Sequence, residues 1–294
     1  MLIATVIWGL AFSAQSSGMK FTGAMLFVAL RSIIGVMALL IVIMIMDLWR
    51  DKRLSWWGRA QSRREREHLL AGGIACGVLI AAASTFQQLG LLYIPAGKTG
   101  FLTALYVIFV PVFGLFFHRR TSLIMLAAVF IALGGAYLLC GGVGSIGIGE
   151  IFVIICAGLF AGHIIVIDHY AAGCDCVRLS CLQFMTAAAA AALASLIFQE
   201  EWLWCNIVSA MPYWMFCGVG SSAIAFTLQM VSQKYLHPVA AALLMSMESV
   251  FAVLGGWVFL HEVLSTQELL GCAVILLAVI MAQLPPDLLK RLHK

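Results

Sequence analysis

The side chains in this chain that could do chemistry are few, and the most isolated of them is Glu248. It lies at the centre of the apolar segment PVAAALLMSMESVFAVLGGWVFL, which runs from Pro238 to Leu260. An ionisable group at bilayer depth costs roughly 2.5–3.5 kcal/mol on insertion scales, so it usually faces a cavity and has a function. Glu248 is therefore predicted to bind a solute amine or to take up a proton. The alternative is a packing acid, protonated and hydrogen-bonded to a neighbouring helix.

Three amides and one cation in other apolar segments could complete a binding site. Gln229 and Gln233 are four residues apart and share a helix face, and Gln87 lies in an earlier apolar segment. An amide donates to a carboxylate and accepts from an amine, which suits a zwitterionic solute, but amides also join membrane helices. Arg31 could bind a solute carboxylate, extend towards the interface, or hold its own helix bundle together.

One histidine, three aromatic residues and one proline are weaker candidates for the transport pathway. His163 lies inside an apolar segment and could relay protons, although a packing histidine is the commoner case. The flat faces of Trp8, Tyr106 and Trp257 could wall a pocket for aromatic or apolar cargo, or they could pack helices and contact lipid. Pro111 could bend its helix for gating, or the bend could be static.

The composition of the chain requires lipid around the segments that carry these residues. Of 294 residues, 63% are hydrophobic and 10% are charged, whereas soluble domains average about 25% charged residues. The sequence predicts an all-α membrane protein with ten transmembrane helices, each needing about 20 apolar residues. The predicted spans are roughly 2–18, 24–46, 69–93, 98–117, 122–140, 148–168, 179–198, 212–233, 239–260 and 266–284. The short first span leaves open a start upstream of Met1.

The basic residues predict the orientation of these spans. Fourteen of the 17 Lys and Arg residues fall on one side of the predicted membrane. Only Lys20 and Lys98 fall on the other side, and Arg31 lies within a span. Because the loops that carry most Lys and Arg stay in the cytoplasm, both termini are predicted to be cytoplasmic.

Two stretches of the chain look like copies of each other. They read FQQLGLLYIPAGKTGFLTALYVIFVPVFGLFF at 86–117 and LQMVSQKYLHPVAAALLMSMESVFAVLGGWVFL at 228–260. Each has a glutamine six residues before a tyrosine, then a short turn and a span rich in small residues. We therefore predict two five-helix repeats, at 1–143 and 144–294. An odd number of spans inverts the second copy, which is typical of secondary transporters with a site near the midplane.

Other patterns concern packing and the absence of cofactors. Gly73-x3-Gly77 and Gly158-x3-Gly162 are predicted to let helices approach closely. The nine cysteines lie mostly in apolar runs, and Cys174-x-Cys176 lacks the spacing of a metal site. No metal, cofactor or nucleic acid is therefore expected to bind.

Several stretches that occur in a fixed order carry a family likeness. They are Trp8-Gly9, Leu30-Arg31, the segment 149–171, Gln229, Gln233-Lys234, Glu248 and Phe259-Leu260-His261-Glu262. This series, which covers nearly the whole chain, resembles the EamA-type permeases of the drug/metabolite transporter superfamily. Two places depart from the family pattern. His118-Arg119-Arg120 stands where a glycine–glutamate pair is common, and His261 replaces a glycine.

The resemblance implies a permease of the bacterial inner membrane that exports amino acids, other small metabolites or toxic compounds. Its cavity would lie between the inverted repeats, and proton coupling is one option. The implied partners are a small-molecule substrate and the lipid bilayer, with a homodimer left open. The alternative is a membrane-embedded enzyme that uses Glu248 with His163, or His261 with Glu262, as an acid–base pair. The mid-bilayer position of Glu248 favours the transporter.

Overall fold

The computed structural model describes residues 1–50, 52, 54–58, 62–116, 123–139, 146–236 and 238–282, and within these ranges the regular structure is entirely helical. The predicted repeat boundary at 143 and 144, the His118-Arg119-Arg120 stretch and the C-terminal residues after 282 lie outside the described residues. The α-helices are α1 Leu2–Gly18, α2 Ala24–Arg50, α3 Arg63–Leu91, α4 Ala96–Thr103, α5 Tyr106–Phe116, α6 Leu123–Leu139, α7 Ile148–Ala171, α8 Cys176–Ile197, α9 Trp204–Ser209, α10 Met211–Phe216, α11 Phe226–Gln233, α12 Pro238–Met245, α13 Glu248–Leu260 and α14 Thr266–Ala282.

The helices of the described residues have the length and hydropathy that a membrane protein requires. Six helical stretches are long and apolar enough to cross a bilayer: Ala24–Trp49, Arg63–Leu91, Ala96–Gly114, Ile148–Ala171, Cys176–Ile197 and Met211–Gln233. Shorter apolar helices occupy Leu2–Gly18, Phe130–Leu139, Glu248–Leu260 and Thr266–Ala278. The all-α prediction is therefore confirmed, with six stretches of spanning length among the described residues.

Two apolar helices are interrupted in the middle, at matching places. The first break, at Ala104 and Leu105, separates α4 from α5, and the second, at Ser246 and Met247, separates α12 from α13. Bonds from residue i to i−3 tighten both breaks: Leu105 donates to the Leu102 carbonyl at 3.2 Å, and Ser249 donates to the Ser246 carbonyl at 3.0 Å. Neither break contains glycine or proline. Pro111 lies inside α5, beyond the first break.

A π-helical segment, Cys217–Ala225, joins α10 to α11. Its wider turns place it against α1 and α2. Gly218 makes this contact possible, because a Cβ atom there would lie 2.8 Å from the backbone oxygen of Arg31. Insertions of this kind often occur at functional sites, and this one brings the hydroxyl groups of Ser221 and Ser222 next to α2.

The helices pack in a limited set of pairs. Helix α3 packs against α7 and α8, and the π-helical segment packs against α1 and α2. Helix α1 contacts α13, while α7 contacts α4 and α5. Three further pairs are α2 with α8, α4 with α13, and α6 with α14. Most of these contacts join the first half of the chain to the second.

The two predicted glycine pairs differ in their surroundings. A Cβ atom on Gly77 would lie 2.6 Å from the backbone oxygen of Gln183, and one on Gly73 would lie 2.5 Å from the Leu182 Cβ. This pair therefore sets the close approach of α3 to α8, as predicted. The prediction is wrong for the second pair: a Cβ atom on Gly158 would meet nothing within 4 Å.

Candidate functional site

A cavity lies between the helices at the level of the two breaks. Its polar lining consists of Trp8, Gln15, Arg31, Gln87, Tyr106, Ser221 and Glu248, and its apolar lining of Phe12, Phe160, Phe226 and Met245. The volume of this cavity is about 30 Å³. Since one water needs at least 10–15 Å³ on this measure, the cavity has room for about two or three waters. A larger solute requires the walls to separate.

Glu248 is the only acid among the side chains that line this cavity. It is the first residue of α13, directly after the second break, and only 6% of its surface is exposed. Its carboxyl group forms no ion pair with another described residue. The amide groups at a helix N-terminus favour negative charge, so the break itself provides a site for a carboxylate.

Tyr106 occupies the corresponding position after the first break. It is the first residue of α5, and its side chain is 1% exposed. The hydroxyl has no hydrogen-bond partner among the described residues, yet it lies near enough to Glu248 for the two side chains to interact. The contact is therefore electrostatic, with a geometry outside that of a hydrogen bond. Each break thus delivers one polar group to the same cavity.

Arg31 reaches the cavity from α2 and is 3% exposed. Its Nη1 donates to Gln15 Oε1 at 2.9 Å, its Nε donates to Ser222 Oγ at 3.4 Å, and its Nη2 donates to Ser221 Oγ at 3.5 Å. All three acceptors are neutral, and two of the distances are long. No carboxylate among the described residues pairs with this guanidinium.

The remaining polar groups of the cavity come from α1 and α3. Trp8 packs edge-on against Phe226, with ring centroids 4.9 Å apart, and its Nε1 has no hydrogen-bond partner among the described residues. Gln87 donates from Nε2 to Thr103 Oγ1 at 3.4 Å. The structure therefore brings together five of the sequence-predicted site residues in one place. They are Trp8, Arg31, Gln87, Tyr106 and Glu248.

Three polar candidates lie outside this cavity and join helices instead. Gln229 donates to Gln233 Oε1 at 3.0 Å, and Gln233 donates to the backbone oxygen of Ile164 at 3.2 Å, which ties α11 to α7. The Nε2 atom of His163 lies 3.0 Å from Gln183 Oε1, which joins α7 to α8. These contacts are the packing arrangement that the sequence left as the alternative for amides and histidine.

The last two candidates also lie away from the cavity lining. Trp257 is 61% exposed on the outside of α13, where lipid would surround it. Pro111 is half-buried within α5, and the interruption of the helix lies at Ala104 and Leu105.

Some lining residues were not predicted from the sequence. Gln15 gives a weak signal as an amide in the first apolar segment, but Phe12, Phe160 and Phe226 look like any core aromatic. Ser221 follows two glycines in a stretch without charge, and only the π-helical turns direct it to Arg31. The course of the backbone decides which of these side chains reach the cavity. The sequence pattern does not reveal that course.

Three carboxylates join the two halves of the chain at helix N-termini. Glu262, in the loop after α13, accepts from the backbone nitrogens of Ala96 and Gly97 at 2.9 and 3.1 Å, at the start of α4. Lys98, in the same helix, forms a buried ion pair with Glu150 at 2.8 Å. Glu200 accepts from the first turn of α2. These contacts hold α2 and α4 against the second half.

The opposite ends of α2 and α8 are joined by a buried charge cluster. Arg178 pairs with Asp47 of α2 and with Asp175, the residue before α8. It also donates to the backbone oxygens of Ser55 and Trp56, which fixes the short segment after α2 on the cluster. The Arg178 cluster therefore joins α2 to α8 at this end of the bundle. The contacts of Glu262, Glu150 and Glu200 join helices at the other end.

Known proteins share both the sequence pattern and the fold. The EamA-like transporter family matches residues 1–141 and again 147–283. A protein of Archaeoglobus fulgidus described as an uncharacterized transporter is 30% identical over 224 residues, covering 72% of this chain and 68% of its own length. One crystal structure, 21% identical, superposes with a TM-score of 0.66 over 95% of this chain and 96% of its own. The chain therefore belongs to the EamA-like transporter family and is a membrane transporter.

Proposed function

We propose that this protein is a secondary transporter that moves a small solute through the cavity between α5 and α13. The observation that carries the proposal is the position of Tyr106 and Glu248 at the two helix breaks. Interrupted helices near the midplane form the solute sites of secondary transporters, because their free termini supply charge and hydrogen bonds there. The cavity lies at the level of these breaks and combines one acid, one cation and aromatic walls.

The packing pairs support an arrangement of ten spans as two inverted five-helix repeats. In this scheme α1, α2, α3, α4–α5 and α6 correspond to α7, α8, α10–α11, α12–α13 and α14. Each packing pair then has its counterpart. The contact of α3 with α7 matches that of the π-helical segment with α1, and the contact of α1 with α13 matches that of α7 with α5. In this scheme the pairs α2–α8 and α6–α14 correspond to themselves, and the contact of α4 with α13 matches that of α12 with α5.

Alternating access would follow from rocking of these halves around the cavity. The predicted orientation puts Glu262, Glu150 and Glu200 on the non-cytoplasmic side and the Arg178 cluster on the cytoplasmic side. Opening towards either side requires the carboxylate contacts at that end to separate.

The proposed location is the inner membrane of a bacterial cell, with both termini cytoplasmic and export as the direction. The excess of Lys and Arg on one side supports the orientation. A reporter enzyme that is active only outside the cytoplasm, fused after Lys294, should stay inactive. Strong reporter activity would overturn the orientation.

An enzyme is not favoured. His163 donates to or accepts from Gln183 and does not line the cavity with Glu248, and the carboxylate of Glu262 is occupied by the N-terminus of α4. A catalytic pair needs two polar groups that converge on one substrate position, and neither predicted pair does so among the described residues.

The test of transport is counterflow into liposomes. Purified protein is reconstituted, the vesicles are loaded with one unlabelled compound each, and uptake of the same labelled compound is followed. The panel contains amino acids, carboxylates without an amine, and cationic dyes. We expect at least one compound to accumulate transiently above its level in protein-free vesicles. Uptake equal to that of protein-free vesicles across the panel contradicts the proposal.

A further inference from the structure

We propose that the cavity binds its solute through a carboxylate group held at Arg31, with the Trp8 indole N–H and the Tyr106 hydroxyl as further donors. The inference rests on the proposed transport function and names a class of substrate for it. The class is small organic carboxylates that carry an aromatic or apolar body. The carboxylate is required for binding, and an amine on the same molecule is not.

The first argument is the missing counter-charge of Arg31. A buried charge is stable only when it is paired or fully hydrogen-bonded. Arg31 has five N–H donors but only neutral acceptors, and its contacts to Ser221 and Ser222 are long, at 3.5 and 3.4 Å. Gln15 supplies the one short contact. A planar carboxylate fits the remaining donors of a guanidinium better than any neutral group does.

The second argument is the excess of donors around the cavity. Trp8 Nε1 and the Tyr106 hydroxyl are both buried and both belong to residues that line the cavity. Trp8 Nε1 has no hydrogen-bond partner among the described residues, and the Tyr106 hydroxyl, which faces Glu248, makes no hydrogen bond of normal geometry there. An indole nitrogen can only donate. Leaving such groups unpaired destabilises the protein, because they lose their hydrogen bonds to water without replacement. A carboxylate, which accepts up to about four hydrogen bonds, would satisfy them and Arg31 together.

The acid in the cavity does not provide this counter-charge. No ion pair or hydrogen bond joins Glu248 to Arg31, and Glu248 interacts instead with Tyr106 and Cys156. The two charged groups come from different helices, α13 and α2, and are separate features of the lining. The guanidinium is therefore available to a solute while Glu248 is present.

The body of the solute is defined by the rest of the lining. Phe12, Phe160, Phe226 and Met245 present apolar surface, and the ring of Trp8 packs edge-on against Phe226. Aromatic and aliphatic groups are favoured on such surfaces. A phosphate is not favoured, because its two negative charges would meet a single guanidinium in this lining.

The experiment compares three probes of one shape with purified protein in lipid nanodiscs. Phenylacetate carries only the carboxylate, L-phenylalanine carries both groups, and phenethylamine carries only the amine. We expect labelled phenylacetate to bind, L-phenylalanine to compete with it, and phenethylamine not to compete. Arg31→Gln should weaken phenylacetate binding by about 10–100-fold, as expected for loss of a hydrogen-bonded charge, and Arg31→Lys should weaken it less. Lys20→Gln, which removes an exposed cation elsewhere, should leave it unchanged.

A thermal unfolding measurement on the empty protein separates binding from a structural role. Because Arg31 lacks a counter-charge, Arg31→Gln should unfold at the same or a higher temperature than the wild type. A lower unfolding temperature together with unchanged relative affinities for the three probes would mean that Arg31 only holds α2 in place, and it would overturn the inference. Binding or transport of phenethylamine but not of the carboxylates would also overturn it while leaving the transport function intact. Failure of every compound in binding and in counterflow would overturn both.

Discussion

Tyr106 and Glu248 each begin the second segment of an interrupted apolar helix, and their side chains line the same cavity. The two residues are 142 positions apart (248 − 106 = 142), as are Gln87 and Gln229 (229 − 87 = 142). The equivalent position therefore holds a phenol in one half and an acid in the other. Only the second half therefore contributes a carboxyl group at this position.

Replacing Tyr106 with phenylalanine tests whether its hydroxyl is held for a solute. The buried hydroxyl makes no hydrogen bond of normal geometry with the described residues, so its removal should leave the free energy of unfolding unchanged or raise it by about 1 kcal/mol. Solute transport should slow. Tyr93 is 61% exposed, so Tyr93→Phe is the matched control. It should change neither the free energy of unfolding nor the rate of transport. A clearly less stable Tyr106→Phe protein would show that the hydroxyl serves the fold.

The Lys98–Glu150 pair should behave as a buried ion pair. Both side chains are about nine-tenths buried, so Lys98→Met alone should cost about 3–5 kcal/mol, because it leaves Glu150 without its counter-charge. The double variant Lys98→Met with Glu150→Gln should recover most of this loss. Thermal unfolding in detergent provides the measurement. If the stability losses of the two single variants simply summed in the double variant, the ion pair would contribute nothing to joining α4 and α7.

The exposed pair of Arg63 and Glu67 serves as the control for that cycle. Their side chains are 93% and 61% exposed and lie 2.7 Å apart within one helix. Solvent screening makes such pairs weak, so Arg63→Met should leave the unfolding temperature close to that of the wild type.

Glu262 should stabilise the start of α4 through both charge and hydrogen bonds. Glu262→Gln keeps one acceptor for Ala96 or Gly97 but loses the negative charge at the helix N-terminus, at a cost of about 0.3–1 kcal/mol. Glu262→Ala loses both acceptors and should cost about 1–2 kcal/mol. An alanine variant as stable as the glutamine variant would show that the two hydrogen bonds contribute little.

Two glycines in similar sequence contexts should respond differently to alanine. At Gly77 the new Cβ atom would lie 2.6 Å from the backbone oxygen of Gln183, so Gly77→Ala should destabilise the protein by about 1–3 kcal/mol. At Gly158 no atom lies within 4 Å, and alanine favours a helix over glycine, so Gly158→Ala should be neutral or slightly stabilising. Equal effects at both positions would contradict the assigned packing of α3 on α8.

The sequence predicts the helices well because burial in lipid requires long apolar segments, which are visible as such. It does not reveal which face of a helix points inwards. Trp257 therefore looked like Trp8, although the first lies outside the bundle and the second lines the cavity. The same limit applies to Gln229, whose amide joins Gln233 rather than facing the cavity.

The two helix breaks could not be predicted, because Ala104-Leu105 and Ser246-Met247 contain no helix-breaking residue. Tertiary packing imposes them. Pro111, the residue that the sequence singled out for a bend, lies inside α5. Glu248 was found from its type alone, since an acid within an apolar segment is rare, but its place at a helix start emerged only from the structure.

The most direct test of the central claim is transport by Glu248→Gln across pH 5 to 8, measured in liposomes with a compound that the wild type carries. We expect the wild-type rate to change over this range as the carboxyl group exchanges a proton. The glutamine variant should be slower and should lose that pH dependence. Glu201→Gln, which neutralises an exposed acid outside the cavity, should match the wild type. If Glu248→Gln also matches the wild type at every pH, the cavity at the two helix breaks is not the coupled solute pathway.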